Sequence, residues 1–231
     1  MDLSLLKELN EARTGRRATI VVTEMPGGAQ RLVRQSDDFS ADALAGDFDR
    51  RFRSGKSGMV TTGTGEVFLN VSVPAPRLVI IGAVHISQAL VPMAAIAGLD
   101  VTVIDPRTAF ATEARFPEGT LKAEWPEDVL RETPLDTFTA VAAVTHDPKI
   151  DDYPLIEALR TGCFYVGALG SRKTHGKRLE RFAETGLDPS VCGRIDAPIG
   201  LDIGAASPEE IAVAVLGSVI GALRKGPGAA A

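Results

Sequence analysis

The sequence predicts an α/β chain: a Rossmann-like parallel sheet with helices on both faces, preceded by a small α+β N-terminal domain. Three observations predict it. Four short apolar runs, LVIIG (78–82), VTVID (101–105), TAVAAVT (139–145) and CFYVG (163–167), recur in the second part of the chain, with helical periodicity between them. Runs that are apolar at almost every position belong to strands buried on both faces. Upstream the strands are short and linked by turns. The change falls at Pro74-Ala75-Pro76, where two prolines stiffen the backbone. The boundaries are therefore 1–75 for the smaller domain and 76–226 for the larger.

In chain order, Leu3–Ala12 reads as a helix and Ala18–Thr23 as a strand, and the turn Met25-Pro26-Gly27-Gly28 leads to a second strand over Gln30–Arg34. Phe39, Ala43, Leu44, Phe48 and Phe52 recur at helical spacing, which predicts a helix over 39–52. Met59–Thr62 and Val67–Val73 form a hairpin around Gly63-Thr64-Gly65. Beyond the linker, helices are expected at about 86–98, 126–132, 152–161, 172–185 and 208–224. The last opens on Ser207-Pro208-Glu209-Glu210, a capping box with proline at the first helical position. There is no internal repeat, and Gly226–Ala231 reads as a frayed end.

Composition excludes several function classes. A chain of 231 residues buries roughly 70% of its unfolded surface and needs no staples. Apolar residues make up 45% and charged residues 24%, too apolar for disorder. A net charge of −5 argues against a nucleic-acid binder, which shows a basic footprint. Two cysteines, Cys163 and Cys192, form no disulfide scaffold or cysteine-rich metal module; Cys163 reads as core packing and Cys192 as an incidental loop residue. The N-terminus carries acids early and no apolar run of signal-peptide type. Leu78–Leu99 lacks charge and is long enough to span a bilayer, but Gly82, His85, Ser87, Gln88 and Pro92 interrupt it. It reads as a buried strand, a turn and a buried helix, and the cytoplasm is the expected location.

Ligands of open parallel sheets bind beyond the carboxyl ends of the strands. Four such positions carry chemistry here. Gly82-Ala83-Val84-His85-Ile86-Ser87 follows the first strand, and Asp105 ends the next, where a ribose-binding acid lies in dinucleotide folds. Val84 stands where the second fingerprint glycine lets the backbone approach a pyrophosphate, which weakens an NAD(P) site. The position therefore reads either as a half-matched dinucleotide turn or as a purely structural one.

The second position is Gly167-Ala168-Leu169-Gly170-Ser171-Arg172-Lys173-Thr174-His175, a strand, a glycine loop and a helix start. Ser171 is a natural N-cap, which places Arg172 and Lys173 in the first turn, against the helix dipole. With His175, Lys177 and Arg178 they suit a phosphate or similar anion at the helix end; the alternative is a solvated basic face. At the third position, His146 and Asp147 end the third strand and face the crevice, while one of Asp151 and Asp152 caps the next helix. The pair suits a metal, a polar ring or a cap. The fourth is Asp202, between Gly200 and Gly204, either in the crevice or in an Asx turn. No nucleophile triad is visible, and neither cysteine has a metal-ligand partner at standard spacing.

Taken together, LVIIGAVH, VTVIDPRTAF, ARFPEG, VTHDPKIDD, FYVGALGSRKTH and PIGLDIGAASPEEIAVAVL resemble the Rossmann half of the xanthine dehydrogenase accessory protein (XdhC/CoxI) family, from about Pro76 to Arg224. The resemblance implies a chaperone without turnover of its own. Such a protein binds molybdenum cofactor (molybdopterin) as transient cargo, protects it during sulfuration and helps insert it into a molybdenum hydroxylase apoenzyme. That enzyme is of xanthine dehydrogenase or CO dehydrogenase type, and a sulfurtransferase is a further implied partner.

The chain departs from the family twice. Gly82-Ala83-Val84-His85 replaces Gly-Ala-Gly-His, and the N-terminal Gly-Cys-Val-Glu motif is missing, which a separate polypeptide would then supply. Only Ala18–Thr23 and Thr64–Leu69 echo that half. The candidate cofactor-binding residues are Gly82, His85, Asp105, Arg107, His146, Asp147, Gly167, Gly170, Ser171, Arg172, Lys173 and Asp202. The pterin phosphate suits Gly170–Lys173, and its aminopyrimidine N–H edge suits Asp105, Asp147 or Asp202. The rival is a nicotinamide-dependent oxidoreductase using Gly82, Asp105 and His146; a protein-binding scaffold with an empty crevice is a third reading. A homodimer is the base-rate oligomer.

Overall fold

The computed structural model describes residues 3–63 and 65–226. It divides into two compact units, Met1–Pro74 and Ala75–Ala231. Thr64, at the tip of the expected hairpin, and the tail from residue 227 lie outside the described residues.

The first unit is built on a four-stranded antiparallel sheet. Helix α1 (Leu3–Thr14) precedes β1 (Thr19–Met25) and β2 (Gln30–Arg34); α2 (Ala45–Ser54) then leads to β3 (Gly58–Thr62) and β4 (Gly65–Ser72), and the sheet order is β2-β1-β4-β3. β1 is central, and Thr19, Ile20, Val21 and Val22 are all buried. Leu5 and Leu9 of α1 pack with Val21, so one face of the sheet is covered by that helix. Phe48 of α2 is fully buried, and Phe39 meets it edge-on at 5.5 Å between ring centres.

The helix expected over 39–52 starts only at Ala45. Asp38 accepts the Ser40 N–H at 3.1 Å, and Asp42 accepts the Leu44 N–H at 2.9 Å. These local side-chain bonds offer the backbone turns in place of a helical turn, so the apolar spacing is real while the helix is short.

The second unit carries a six-stranded sheet, all parallel. Its elements run β5 (Arg77–Ile81), α3 (His85–Ile96), β6 (Asp100–Ile104), a 3-10 turn (Glu113–Arg115), β7 (Leu121–Lys122), α4 (Pro126–Glu132), β8 (Thr139–Ala143), α5 (Pro148–Thr161), β9 (Tyr165–Ala168), α6 (Arg172–Glu184), α7 (Pro189–Cys192), β10 (Ile195–Asp196) and α8 (Pro208–Lys225). The order across the sheet is β10-β9-β8-β5-β6-β7. Chain progress reverses between β5 and β8, the switch point at which doubly wound sheets open a crevice. The fold class is therefore as the sequence predicts, with the two-residue edge strands β7 and β10 added.

Alternation along the strands supplies both faces. Leu78 and Ile80 of β5 join a core with Leu90 and Ala94 of α3 and Val215 and Val219 of α8. Val79 and Ile81 point the other way, into a core with Val129 of α4, Leu155 and Leu159 of α5, and Phe182 of α6. The uncharged run Leu78–Leu99 is thus strand, turn and helix. Among the described residues no helix is long and apolar enough to cross a membrane.

α5 begins four residues earlier than expected. Asp147 is its N-cap, accepting the Lys149 N–H at 3.0 Å with Pro148 at the first position, so neither Asp151 nor Asp152 is a cap. Ser171 caps α6, and Ser207 with Glu210 closes the expected box on α8. Cys163 is fully buried, and burial pushes its thiol up to about 12. Cys192 is also buried, at the end of α7 and not in a loop.

Phe48→Ala, which empties the most deeply buried aromatic site of the first unit, is expected to destabilise that unit by about 3–5 kcal/mol. A lowered denaturant midpoint at unchanged slope is the readout.

Candidate functional site

The carboxyl ends of β5 and β6 are tied by one carboxylate. Asp105 is fully buried. Its Oδ2 accepts the Ala83 N–H at 2.8 Å and an Arg107 Nη2–H at 2.8 Å, while Oδ1 accepts Nε–H and N–H of Arg107, both at 2.9 Å. Burial pushes this carboxyl up, but the hydrogen bonds from Arg107 and Ala83 and the Arg107 charge outweigh it and hold the group below its ordinary value. The guanidinium also lies 4.6 Å from the Phe110 ring centre.

The turn between β5 and α3 is equally closed. Gly82 has φ +119°, and a Cβ there would lie 2.8 Å from Thr145 Cγ2, so the backbone of β5 passes directly against the end of β8. Its carbonyl accepts the Ser87 hydroxyl. His85 is the first residue of α3, exposed, and within electrostatic reach of Glu209 at the start of α8.

A second assembly lies between α5 and α6, past the ends of β8 and β9. There His146, Asp151 and Asp152 from the β8–α5 side and Lys173, Lys177 and Arg178 from α6 line a cavity of 280 Å³, with Pro148, Thr174 and Arg181 completing the wall. His146 holds the turn at φ +65°, a left-handed conformation outside glycine's usual monopoly, and the Thr145 hydroxyl fixes it by accepting the Asp147 N–H at 2.9 Å. Arg181 clasps Asp152 through Nε at 2.5 Å and Nη2 at 2.9 Å. That pair cancels, which leaves Lys173, Lys177 and Arg178 facing one remaining carboxylate, Asp151.

Two buried groups in this wall are incompletely satisfied. Arg178 is 2% exposed; its Nη2 donates to the Leu169 carbonyl at 3.1 Å, while Nε and Nη1 have no partner. Asp151 is 1% exposed; Oδ1 accepts the Thr145 hydroxyl at 2.7 Å, and Oδ2 has no partner. Burial drives the Asp151 carboxyl up to about 6 against the pull of Thr145 and Arg178, and burial lowers Arg178 from its ordinary value.

The sequence-derived candidates thus separate. His146 and Lys173 line the cavity. Ser171 caps the helix that presents it, with Gly170 immediately before. Asp147 adjoins His146 as the cap of α5. Gly82, Asp105 and Arg107 form the braced turn. Gly167 is buried in β9, where a Cβ would meet Ile199 Cγ1 at 2.7 Å, a packing constraint away from the cavity wall. Arg172 and Asp202 are exposed and outside the wall. Asp151, Asp152, Lys177, Arg178 and Arg181 complete it. The signal for them is the spacing Lys173, Lys177, Arg181, which runs along one helix face beside Thr174 and Arg178. Among the described residues no group of three or more His, Cys, Asp or Glu side chains gathers as a metal would require.

Fold and site define a class: a doubly wound α/β domain with a braced, glycine-poor first turn and a cation-lined cavity at the carboxyl ends of its strands. The profile described as the XdhC Rossmann domain matches residues 78–219, and the chain belongs to that family. Three curated relatives match the chain over 147 to 170 residues. An uncharacterized protein, YqeB, of Escherichia coli K12 is 31% identical over 72% of this chain and 31% of its own. A protein of Bacillus subtilis 168 named as a probable xanthine dehydrogenase subunit is 33% identical over 68% and 46%. The molybdenum cofactor insertion chaperone PaoD of E. coli K12 is 31% identical over 63% and 40%. The chain therefore spans less than half the length of each. A crystal structure described as a xanthine dehydrogenase from Bacillus halodurans aligns with TM-score 0.63 and 23% identity, over 100% of this chain and 68% of that one. It shows a shared fold.

Two stability measurements test this electrostatic picture. Arg107→Ala strands the buried Asp105 charge and is expected to cost about 3 kcal/mol near neutral pH, with the loss shrinking as acid protonates the carboxyl. Asp151 acts with the opposite sign. Because its folded value near 6 lies above the unfolded 3.8, the folded chain holds an extra proton between those limits, and stability falls as pH rises through them. Asp151→Asn is expected to remove that penalty, gaining about 3 kcal/mol on wild type between pH 4 and pH 7. Melting curves across that range read both effects.

Proposed function

We propose that this chain is an accessory protein that binds molybdenum cofactor and assists its maturation and insertion into a molybdenum hydroxylase apoenzyme of the xanthine dehydrogenase or CO dehydrogenase type. The observation that carries the reading is the cavity between α5 and α6, where the buried Arg178 keeps two donors without partners beside Lys173 and Lys177. Molybdopterin ends in a phosphate, and three clustered cations on the first two turns of α6 suit it. Its aminopyrimidine edge offers N–H donors, which suit a carboxylate at the same end of the sheet. Of the three carboxylates the sequence offers, Asp105 has both oxygens engaged and Asp202 is exposed outside the wall, which leaves Asp147, beside His146, for that edge. Family membership and the names of two relatives support the same reading.

The nicotinamide-dependent alternative asks Asp105 to receive a ribose hydroxyl, and Arg107 holds that carboxylate instead. A thermal-shift titration with anaerobically released molybdenum cofactor, run beside NAD and NADP, separates the two. Cofactor at a hundred times its Kd is expected to add about 2.7 kcal/mol to the folded state. The double variant Lys173→Ala/Lys177→Ala is expected to weaken binding at least tenfold with its own melting temperature little changed. A shift with a dinucleotide alone, or undiminished cofactor affinity in the double variant, overturns the assignment.

A further inference from the structure

The cavity that this reading gives to the cofactor's phosphate contains an acid and a base that do not satisfy each other. Asp151 and Arg178 are both at least 98% buried, both line the wall, and each retains polar atoms without a partner. No ion pair joins them among the described residues. A buried cation with orphaned donors invites an oxyanion. A carboxylate beside that oxyanion repels it. The same carboxyl, once protonated, instead presents an O–H donor to it.

We infer that oxyanion binding in this cavity is coupled to the uptake of one proton by Asp151, so that the site takes its anionic ligand as acid arrives and releases it as the proton leaves. The inference rests on the reading of the cavity as the phosphate site. The proton comes from solvent, and no bond other than the carboxyl O–H is made or broken.

The surroundings of Asp151 favour this carboxyl as the linked group. From the β8 side it faces the Thr145 hydroxyl, His146 and Asp147; from its own helix, Asp152, which Arg181 neutralises. From α6 it faces Arg178, with Lys173 and Lys177 on the same wall and His175 nearby, and the Arg107 charge reaches it from beyond β6. Burial lowers His175, which opposes its protonation on binding. Burial raises Asp151 to about 6.

Sulfate is the probe, because it is tetrahedral and its charge does not change between pH 5.5 and 7.5. Titrated by calorimetry into the full chain, it is expected to bind more tightly at pH 5.5 than at 7.5, by up to about twentyfold if only the protonated carboxyl admits the anion. Asp151→Asn keeps the oxygen that accepts from Thr145. It is expected to bind sulfate at both pH values about as tightly as wild type does at pH 5.5. His146→Gln and His175→Gln are expected to retain the wild-type slope.

Wild-type titrations at pH 7 in two buffers of different ionisation heat give the proton count without any variant, and close to one proton per sulfate is expected. A slope that persists in Asp151→Asn, or an absence of proton uptake, overturns the linkage and leaves the anion site standing. No sulfate binding at pH 5.5, or binding undiminished in both Arg178→Gln and Lys177→Ala, overturns the site itself and the linkage with it.

Discussion

The Asp105 carboxylate, buried at the end of β6, accepts the Ala83 N–H in the turn after β5 and two N–H groups along one edge of the Arg107 guanidinium, and the layout of the strand ends follows from how that charge is kept. A bare carboxylate there would be intolerable, so the chain must return an arginine two residues later and hold it flat. The returning arginine places Phe110 against its face and sets the course of the connection toward β7. The same carboxylate pins Ala83, which fixes where α3 starts. At the switch point between β5 and β8, Gly82 is pressed against Thr145. A polar cavity lies one strand over, between α5 and α6.

The two buried acids at this end of the sheet are therefore treated in opposite ways. Asp105 has every oxygen answered and stays ionised. Asp151 has one oxygen answered, and burial raises it into the physiological range. Satisfied charge holds an architecture, whereas half-satisfied charge responds to whatever enters the neighbouring space. The contrast locates structure at Asp105 and responsiveness at Asp151, about 46 residues apart in sequence yet at the same rim of one sheet.

Much of this is legible in the residues. The apolar runs at 78–82, 101–105, 139–145 and 163–167 announce strands because nothing polar interrupts them, and the Ser207–Glu210 box marks a helix start by its own chemistry. Two-residue strands such as β7 and β10 leave no periodicity to read. The early start of α5 is masked because Asp147 also suits a ligand role, while Pro148, the stronger helix-start signal, stands beside it. Asp105 is legible as an acid in a ribose position, but its engagement by Arg107 depends on a side-chain path that spacing does not disclose. Arg178 is visible as one of several cations on α6; its burial against Leu169 depends on how the helix turns toward the sheet.

The division at Pro74 and Ala75 has a further consequence for how such a chain can change. Every ladder of the antiparallel sheet closes among β1 to β4, and every ladder of the parallel sheet closes among β5 to β10. The strand that follows the linker enters the middle of its sheet, so the larger unit grows outward in both directions from a strand it already owns. Recombination at this joint breaks no interstrand hydrogen bond in either piece. The leading module can be exchanged, trimmed or doubled while the crevice-bearing module keeps its register.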